Sequence, residues 1–177
     1  MRPAFGTSLR TARLTLRPFS VEDAARVLAI QSNWNVTRML RLATFPPTLE
    51  PTRAWLASHE GEWRAGTAYR FAAVFEGAVI GCADVDEIAD GRGDLGYWLD
   101  EAAWGCGFAS EAAGAVIAFA FDVLRLDGLN SGHARDNPAS GTVLRKLRFR
   151  RIGETRVWSS PRGEEIDQCL YACDREA

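Results

Sequence analysis

Residues 104–109 read Trp104-Gly105-Cys106-Gly107-Phe108-Ala109, with small residues at every second position just before Ser110-Glu111-Ala112 and a long apolar run. The first amides of a helix have no intrahelical carbonyl partner, and the aligned peptide dipoles favour negative charge there. Glycines at such a turn let a pyrophosphate reach those amides without obstruction by side chains. The pattern therefore predicts a phosphate-bearing cofactor at the start of a helix. No Gly-x-x-x-x-Gly-Lys-Ser/Thr run exists, which leaves an ATPase or GTPase P-loop unsupported. Counting from Gly105, Ser110 stands where a dinucleotide-binding Gly-x-Gly-x-x-Gly needs its third glycine, so a nucleotide dehydrogenase fits poorly.

The other reactive side chains are dispersed. Cys82, Cys106, Cys169 and Cys173 form no Cys-x-x-Cys pair. Cys169 and Cys173 fall in a strand-like stretch, where about 3.4 Å per residue separates them too far for one bridge. Reduced thiols are expected, and with His59 and His133 the only histidines, no metal site is expected. Cys106 has no nearby histidine in sequence to activate it, and its place in the turn assigns its role to its backbone.

The elements that must position this turn follow from periodicity. Residues 14–19 alternate as a strand, and Ser20 with Asp23 then supplies the signature of a helix start, with Ala24, Val27 and Leu28 as its apolar face. A second helix is expected from near Pro51, carrying Trp55, Leu56, His59 and Trp63 at helical spacing, with His59 at an interface edge. Residues 69–75, 79–85 and 95–99 read as three strands joined by turns too short for parallel crossovers, hence an antiparallel meander. Gly96 within the third permits close approach by another group. No charge lies between Glu111 and Asp122, so the helix over residues 110–124 should be buried against the sheet. Residues 126–135 are then expected to return as a strand parallel to residues 95–99. Asn137-Pro138 opens another helix with Val143, Leu144 and Leu147 on its apolar side, and residues 149–158 and 166–173 close the chain as strands.

Size and charge bound the partners. A chain of 177 residues, with 21 basic and 23 acidic side chains, is expected to be a single domain over residues 1–177 that attracts neither nucleic acid nor a membrane through positive potential. The opening Met1-Arg2-Pro3-Ala4-Phe5 lacks a secretory pattern, and the most apolar stretch, residues 112–124, is too short to span a bilayer. A cytoplasmic protein is expected.

These stretches together resemble the GNAT superfamily of acetyl-CoA-dependent N-acetyltransferases, especially its RimJ/RimL-like branch. The family's cofactor motif is Gln/Arg-x-x-Gly-x-Gly/Ala; here Trp104 replaces the first residue, as in the branch's Trp-Gly-x-Gly-Tyr-Ala form. Thr11-Ala12-Arg13-Leu14-Thr15-Leu16-Arg17-Pro18 is similar to the opening strand of this branch, and Gly96-Tyr97-Trp98-Leu99 to the strand before the cofactor turn. Asp136-Asn137-Pro138-Ala139-Ser140, followed by Val143-Leu144-Arg145-Lys146-Leu147 and Phe149, resembles the next strand end and helix, with Arg148 where the family has glycine. The likeness implies an α/β fold, α+β in some schemes: a mixed, mostly antiparallel sheet with a central splayed parallel strand pair, flanked by helices.

Acetyl transfer from a thioester to an amine needs an uncharged amine, an aligned carbonyl, stabilisation of developing negative oxygen and protonation of the departing sulfur. The resemblance implies acetyl-CoA as donor cosubstrate between the splayed strands, with Tyr97, Trp98 and Leu99 along its thioester and pantetheine through backbone groups. It implies pyrophosphate on the amides of Cys106, Gly107, Phe108, Ala109 and Ser110, with Gly105 completing the turn. Asn137 is expected to contact the cofactor's amide-rich arm and Ser140 to protonate the sulfur, although both residues also suit a helix start. On the acceptor side Asp84, Asp86 and Glu87 lie near a strand end, Glu154 lies on a later strand, and His133 has a suitable intrinsic pKa. Glu87 is taken as the proton acceptor, with a water chain as the alternative. The acceptor is expected to be a primary amine, a protein N-terminal α-amine given the branch. A polyamine or aminoglycoside is the alternative, and a non-catalytic acyl-CoA-binding module is the competing class. Monomer and homodimer both remain open.

Overall fold

The computed structural model of the protein describes residues 3–175, so Met1 and Arg2 of the opening stretch lie outside the described residues. Strands β1 (Leu9–Arg10) and β2 (Thr15–Pro18) form a short hairpin whose Leu14 and Leu16 point into the core. The chain then turns into helix α1 (Ala24–Gln31) through a single 3-10 turn, Val21–Asp23. Asp23 makes the expected helix-start bond, accepting from the Ser20 amide at 2.9 Å. It also receives a two-pronged grip from Arg17, at 2.7 and 2.8 Å, which ties the helix entry to β2. A short helix α2 (Trp34–Thr37) and a loop lead to α3 (Leu49–Ala65).

Strands β3 (Tyr69–Phe75), β4 (Ala78–Ala89) and β5 (Arg92–Leu99) form the expected antiparallel meander. Helix α4 (Phe108–Ala118) packs on β4 and β5 through Phe108, Ala112, Ala113 and Val116. The apolar run does not continue as one α-helix to residue 124. It widens into a π-helical turn, Phe119–Val123, where Phe119 meets Trp63, Tyr69 and Phe71 edge-on or tilted. Strand β6 (Gly128–Ala134), helix α5 (Pro138–Lys146) and the hairpin of β7 (Arg150–Ser159) and β8 (Glu164–Asp174) complete the fold.

All eight strands form one sheet in the order β1-β2-β3-β4-β5-β6-β8-β7, mixed and mostly antiparallel, with β5 and β6 its one parallel pair. That pairing differs in register from the sequence reading. Hydrogen-bonded partners are Arg92 with Gly128, Gly93 with Leu129 and Asp94 with Asn130, all before residue 95. Residues 95–99 lie where the strands have separated. At the fork Ser131 Oγ donates to the Leu95 carbonyl at 2.8 Å, occupying an acceptor that a continuing ladder would use, while β6 pairs along its whole length with β8.

Helix α3 crosses the face opposite α4 and buries His59, which is only 2% exposed. The edge position expected for this histidine is therefore corrected to the core, where its ring meets Phe19 and Trp55 and neither nitrogen has a hydrogen-bond partner. None of the four cysteines is joined in a disulfide. Among the described residues no helix is long and apolar enough to cross a membrane, and no cluster of His, Cys, Asp or Glu is arranged to hold a metal.

Candidate functional site

The turn after β5 is built from three local devices. Asp100 accepts from the Ala102 amide at 3.2 Å and so caps a 3-10 turn, Glu101–Ala103. The Trp104 indole donates to the Leu99 carbonyl at 3.0 Å, folding the turn back onto the strand it leaves. Gly105 and Gly107 then take φ of 74° and 83°, a backbone region that strains residues with a Cβ. With Gly107 as the residue before α4, the first helical bond is Glu111 N to Gly107 O at 3.1 Å. The amides of Phe108, Ala109 and Ser110 precede it and have no partner within the helix. Residues 104–109 thus form a glycine-bearing turn that opens α4, with three amides outside the helix's own bonding.

Two residues absent from the expected site set hold this turn. Arg13 donates through Nη1 to the Cys106 carbonyl at 2.9 Å and through Nε to Glu111 at 2.7 Å, and its guanidinium lies 4.2 Å from the centre of the Phe108 ring. Glu111 also accepts from the Arg13 amide at 2.7 Å and from the Thr11 hydroxyl at 2.6 Å. Partial burial works against its charge, yet these bonds hold the Glu111 carboxyl below the usual range. The start of α4 is thereby fixed to the β1–β2 corner. The Phe108 side chain serves the core, and the Cys106 side chain is exposed.

Where β5 and β6 part, a cavity of about 650 Å³ opens. Gly96, Tyr97 and Trp98 form one wall and residues 131–134 with Ser140 the other; the loop before α3 and the β7–β8 hairpin bound its far end. The Tyr97 hydroxyl crosses the gap to Ser140, 2.7 Å from its Oγ and 3.1 Å from its carbonyl. Burial pushes the Tyr97 phenol up to about 12, so it stays protonated. Ser140 sits there because Asn137 caps α5, its Oδ1 accepting from the Ser140 amide at 3.3 Å. Leu99 is buried and its carbonyl is taken by Trp104, so this end of β5 anchors the turn.

The cavity is acidic around one cation where β3 and β4 line it beside Gly96. Arg70 on β3 donates through Nη1 to Asp84 at 2.8 Å and to Asp86 at 2.9 Å, and through Nε to Glu62 at 2.8 Å. Burial opposes the Arg70 charge, but the three carboxylates raise its pKa above that of a free guanidinium. Asp84 is buried beside the Cys82 thiol, 3.7 Å away, and burial pushes its carboxyl up to about 6 against the pull of Arg70.

The remaining candidates lie apart from this wall. Glu87 is exposed on an irregularity between β4 and β5, with φ of 48° and Arg41 3.9 Å away, and it does not line the cavity. Glu154 is exposed on β7 between Arg135 and Arg151. His133 lines the cavity but faces Ala134 O at 2.8 Å and the Tyr171 hydroxyl at 3.4 Å with its two ring nitrogens. Of the three tryptophans on α2 and α3, Trp55 lines the cavity together with Met39, Trp63 is core, and Trp34 lies tilted against Phe45 with ring centres 4.8 Å apart.

Comparison with known proteins gives a consistent outcome. The model of the family described as acetyltransferase (GNAT) domain matches residues 13–150. The chain is 30% identical over 169 residues to a Bacillus licheniformis protein described as uncharacterized N-acetyltransferase p20, covering 93% of this chain and 94% of that one. It is 27% identical over 168 residues to the uncharacterized N-acetyltransferase YoaA of Bacillus subtilis, with the same coverage of 93% and 94%. Among solved structures, RimL, a ribosomal L7/L12 alpha-N-protein acetyltransferase in complex with coenzyme A, superposes with a TM-score of 0.86 at 20% identity, covering 95% of this chain and 98% of that one. Mycobacterium smegmatis RimJ, also with a coenzyme A species, superposes with a TM-score of 0.86 at 19% identity, covering 98% and 90%.

Proposed function

Starting from a chain that belongs to the acetyltransferase (GNAT) domain family, we propose an enzyme that moves the acetyl group of acetyl-CoA directly onto a primary amine. One observation carries this reading: β5 and β6 separate after three paired residues into a cavity that is bridged by the Tyr97 and Ser140 hydroxyls and lined by the carboxylates bonded to Arg70. Attack by an amine on a thioester needs a proton delivered to sulfur and a proton removed from nitrogen. The hydroxyl pair and the carboxylates are suited to those two tasks.

The residues present fit the donor. Three unpartnered amides at the start of α4 suit its pyrophosphate, and the gap between β5 and β6 suits an extended arm. When bound, acetyl-CoA supplies an activated acyl carbon and a thiolate leaving group. The chain's part is then to orient and to move protons. The backbone groups of Tyr97 lie on the strand edge that β6 has left, placed to bond an amide-rich ligand in place of the missing ladder, while those of Gly96 and Trp98 face β4. Tyr97 and Ser140 hold a proton between them at the fork, and the Arg70 carboxylates favour a cationic acceptor in the same cavity. The peptide α-amine acetylated by RimL, by its description, belongs to this chemical class, and that acceptor is the first to try.

The test is incubation of the purified protein with acetyl-CoA and a panel of peptide N-termini, polyamines and aminoglycosides, reading free thiol and acetylated product. Thiol release matched by one acetylated amine supports the reading. Tight CoA binding without turnover on any acceptor points instead to a non-catalytic acyl-CoA-binding module, and failure to bind CoA sinks both.

A further inference from the structure

We propose that Asp84 takes the proton from the acceptor nitrogen, and that Arg70 and Gly96 are the residues that position it for this. The inference rests on the acetyl-transfer reading and adds to it the residue that completes the proton path.

Placement is the first argument. Asp84 on β4 is the cross-strand partner of Gly96 on β5, one residue before Tyr97 and just past the fork with β6. Its Oδ1 lies 2.4 Å from where a Cβ on Gly96 would stand. The carboxylate therefore rests directly over the Gly96 backbone, a position any side chain at residue 96 would deny it. The close approach expected at this glycine is made by a carboxylate at the cavity wall.

The two oxygens of Asp84 are not equivalent. Oδ2 is bonded to Arg70 and faces the Cys82 thiol, whereas Oδ1 has no hydrogen-bond partner among the described residues. The residue lines the cavity and is 8% exposed. A buried carboxylate with one satisfied oxygen and one free oxygen in a cavity is arranged to receive a hydrogen bond from a ligand. Asp86, the other cavity acid bonded to Arg70 through one oxygen, is less buried, its side chain 28% exposed against 11% for Asp84; the remaining candidates lack the arrangement altogether. Glu62 directs both oxygens to Arg70, at 2.8 and 3.4 Å; Glu87 and Glu154 are exposed away from the cavity; and His133 has both ring nitrogens engaged.

The surroundings set its proton affinity. Arg70 from β3 and Cys82 and Asp86 from β4 are the charged or titratable groups acting on it, with Glu62 and His59 of α3 acting through Arg70, Asp94 of β5 acting through its cross-strand partner Asp86, and Arg41 of the loop before α3 acting on Asp94. Burial brings the carboxyl to about 6, where it is ionised at neutral pH and still basic enough to take a proton. As the nitrogen–carbon bond forms and the carbon–sulfur bond breaks, the proton on nitrogen passes to Asp84 Oδ1. The departing sulfur takes one from the Tyr97–Ser140 pair, which regains it from water as Asp84 releases its own to water. Amine and thioester become amide and thiol with no other reactant.

The experiment combines two readouts. Carbon-13 NMR of the aspartate carboxyls, in protein without donor and with Asp84→Asn for assignment, is expected to show Asp84 titrating near 6. Arg70→Gln, which removes the cation favouring ionisation, is expected to move that midpoint up by about one unit or more. Acetyl transfer to the best acceptor, followed against pH, should show kcat/KM rising through the same midpoint, and that limb should follow the NMR value in Arg70→Gln. Asp84→Asn should lose the limb and about 100-fold or more in kcat. Wild-type turnover tests the acetyl-transfer reading by itself. A wild type that acetylates while Asp84→Asn keeps its rate, or a limb that stays put when the NMR midpoint moves, overturns the role of Asp84 alone. A wild type that transfers nothing overturns both, and should Asp84→Asn fail to fold, the Arg70→Gln shift decides.

Discussion

Tyr97 and Ser140 meet across the fork of the sheet, hydroxyl to hydroxyl at 2.7 Å, although 43 residues separate them in the chain. One is carried by the strand that leaves the parallel ladder and the other by the first turn of the helix that follows its partner strand. Beyond the Ser131 bond to the Leu95 carbonyl, the two walls are thus tied by groups that can pass a proton. If the pair protonates the departing sulfur, Tyr97→Phe and Ser140→Ala should each lower kcat by about 100-fold while leaving the dissociation constant for CoA within about threefold. The double variant should fall far short of the product of the two losses, because each single change already breaks the relay. With the phenol pushed up to about 12, the wild type should show no loss of rate from Tyr97 ionisation below about pH 11. Losses confined to CoA affinity would make the pair a binding contact instead.

The phosphate turn makes a second, sharper prediction because its requirement falls on backbone and not on side chain. Gly107 sits at φ of 83°, where a residue with a Cβ is strained by roughly 1–2 kcal/mol. Relief of that strain would re-aim the amides at the start of α4. Gly107→Val is expected to weaken CoA binding by tenfold or more in calorimetric titration. Cys106→Ala, which leaves the Cys106 carbonyl that Arg13 holds, should retain both affinity and transfer. Equal CoA affinity in the two variants would remove the assignment of this turn.

The contrast between these two features explains what could be read from the chain alone. The turn at Gly105 and Gly107, the Ser20–Asp23 helix start and the Asn137 cap are all local, each satisfied by neighbours within a few residues, so residue types and spacing reveal them. Arg70 and its three carboxylates, the Tyr97–Ser140 contact and the grip of Glu111 on Arg13, 98 residues away, depend on which strands become neighbours. No local pattern encodes that. Glu87 shows a third case. Simple alternation along β4 does not anticipate the irregularity between Asp86 and Ala89, and there Glu87 takes φ of 48° and turns out of the ladder. Asp84 and Asp86 are visible in the sequence as acids near a strand end, but the charged Arg70 within the otherwise apolar Tyr69–Phe75 is the local sign that they gather around a cation.

Arg148, which replaces the glycine usual before Phe149 in the resemblance drawn above, offers a test of stability at a distance from the cavity. Helix α5 ends at Lys146, and Arg148 takes φ of 65°, the left-handed conformation that glycine adopts at low cost beyond a helix end. The protein thus keeps the glycine-type ending without the glycine. Arg148→Gly should raise stability by about 0.5–1 kcal/mol, a gain in Tm of a few degrees for a domain of this size, with CoA affinity unchanged. A lower Tm would mean that the arginine's own contacts outweigh the backbone strain.

His59 predicts how stability should depend on pH. Burial against Phe19 and Trp55, together with the nearby Arg70 charge, pushes its imidazole down to about 4, while Glu62 opposes the shift. In the unfolded chain it returns to about 6.5. As the pH falls from 6.5 towards 4, the unfolded state therefore takes up a proton that the folded state excludes. The stability that the neutral ring permits above 6.5 is lost across this window, roughly 3 kcal/mol by pH 4. Asp84 acts with the opposite sign: its raised pKa costs stability as the pH climbs through 6, so the wild-type profile alone mixes the two effects. His59→Leu separates them, because Asp84 remains in both proteins, and it also removes two buried nitrogens that lack partners. Chemical denaturation at pH 7 and pH 4 should find the variant's advantage larger at the lower pH by about that amount. An advantage that does not change with pH would show that His59 is as free to protonate in the folded protein as in the unfolded chain.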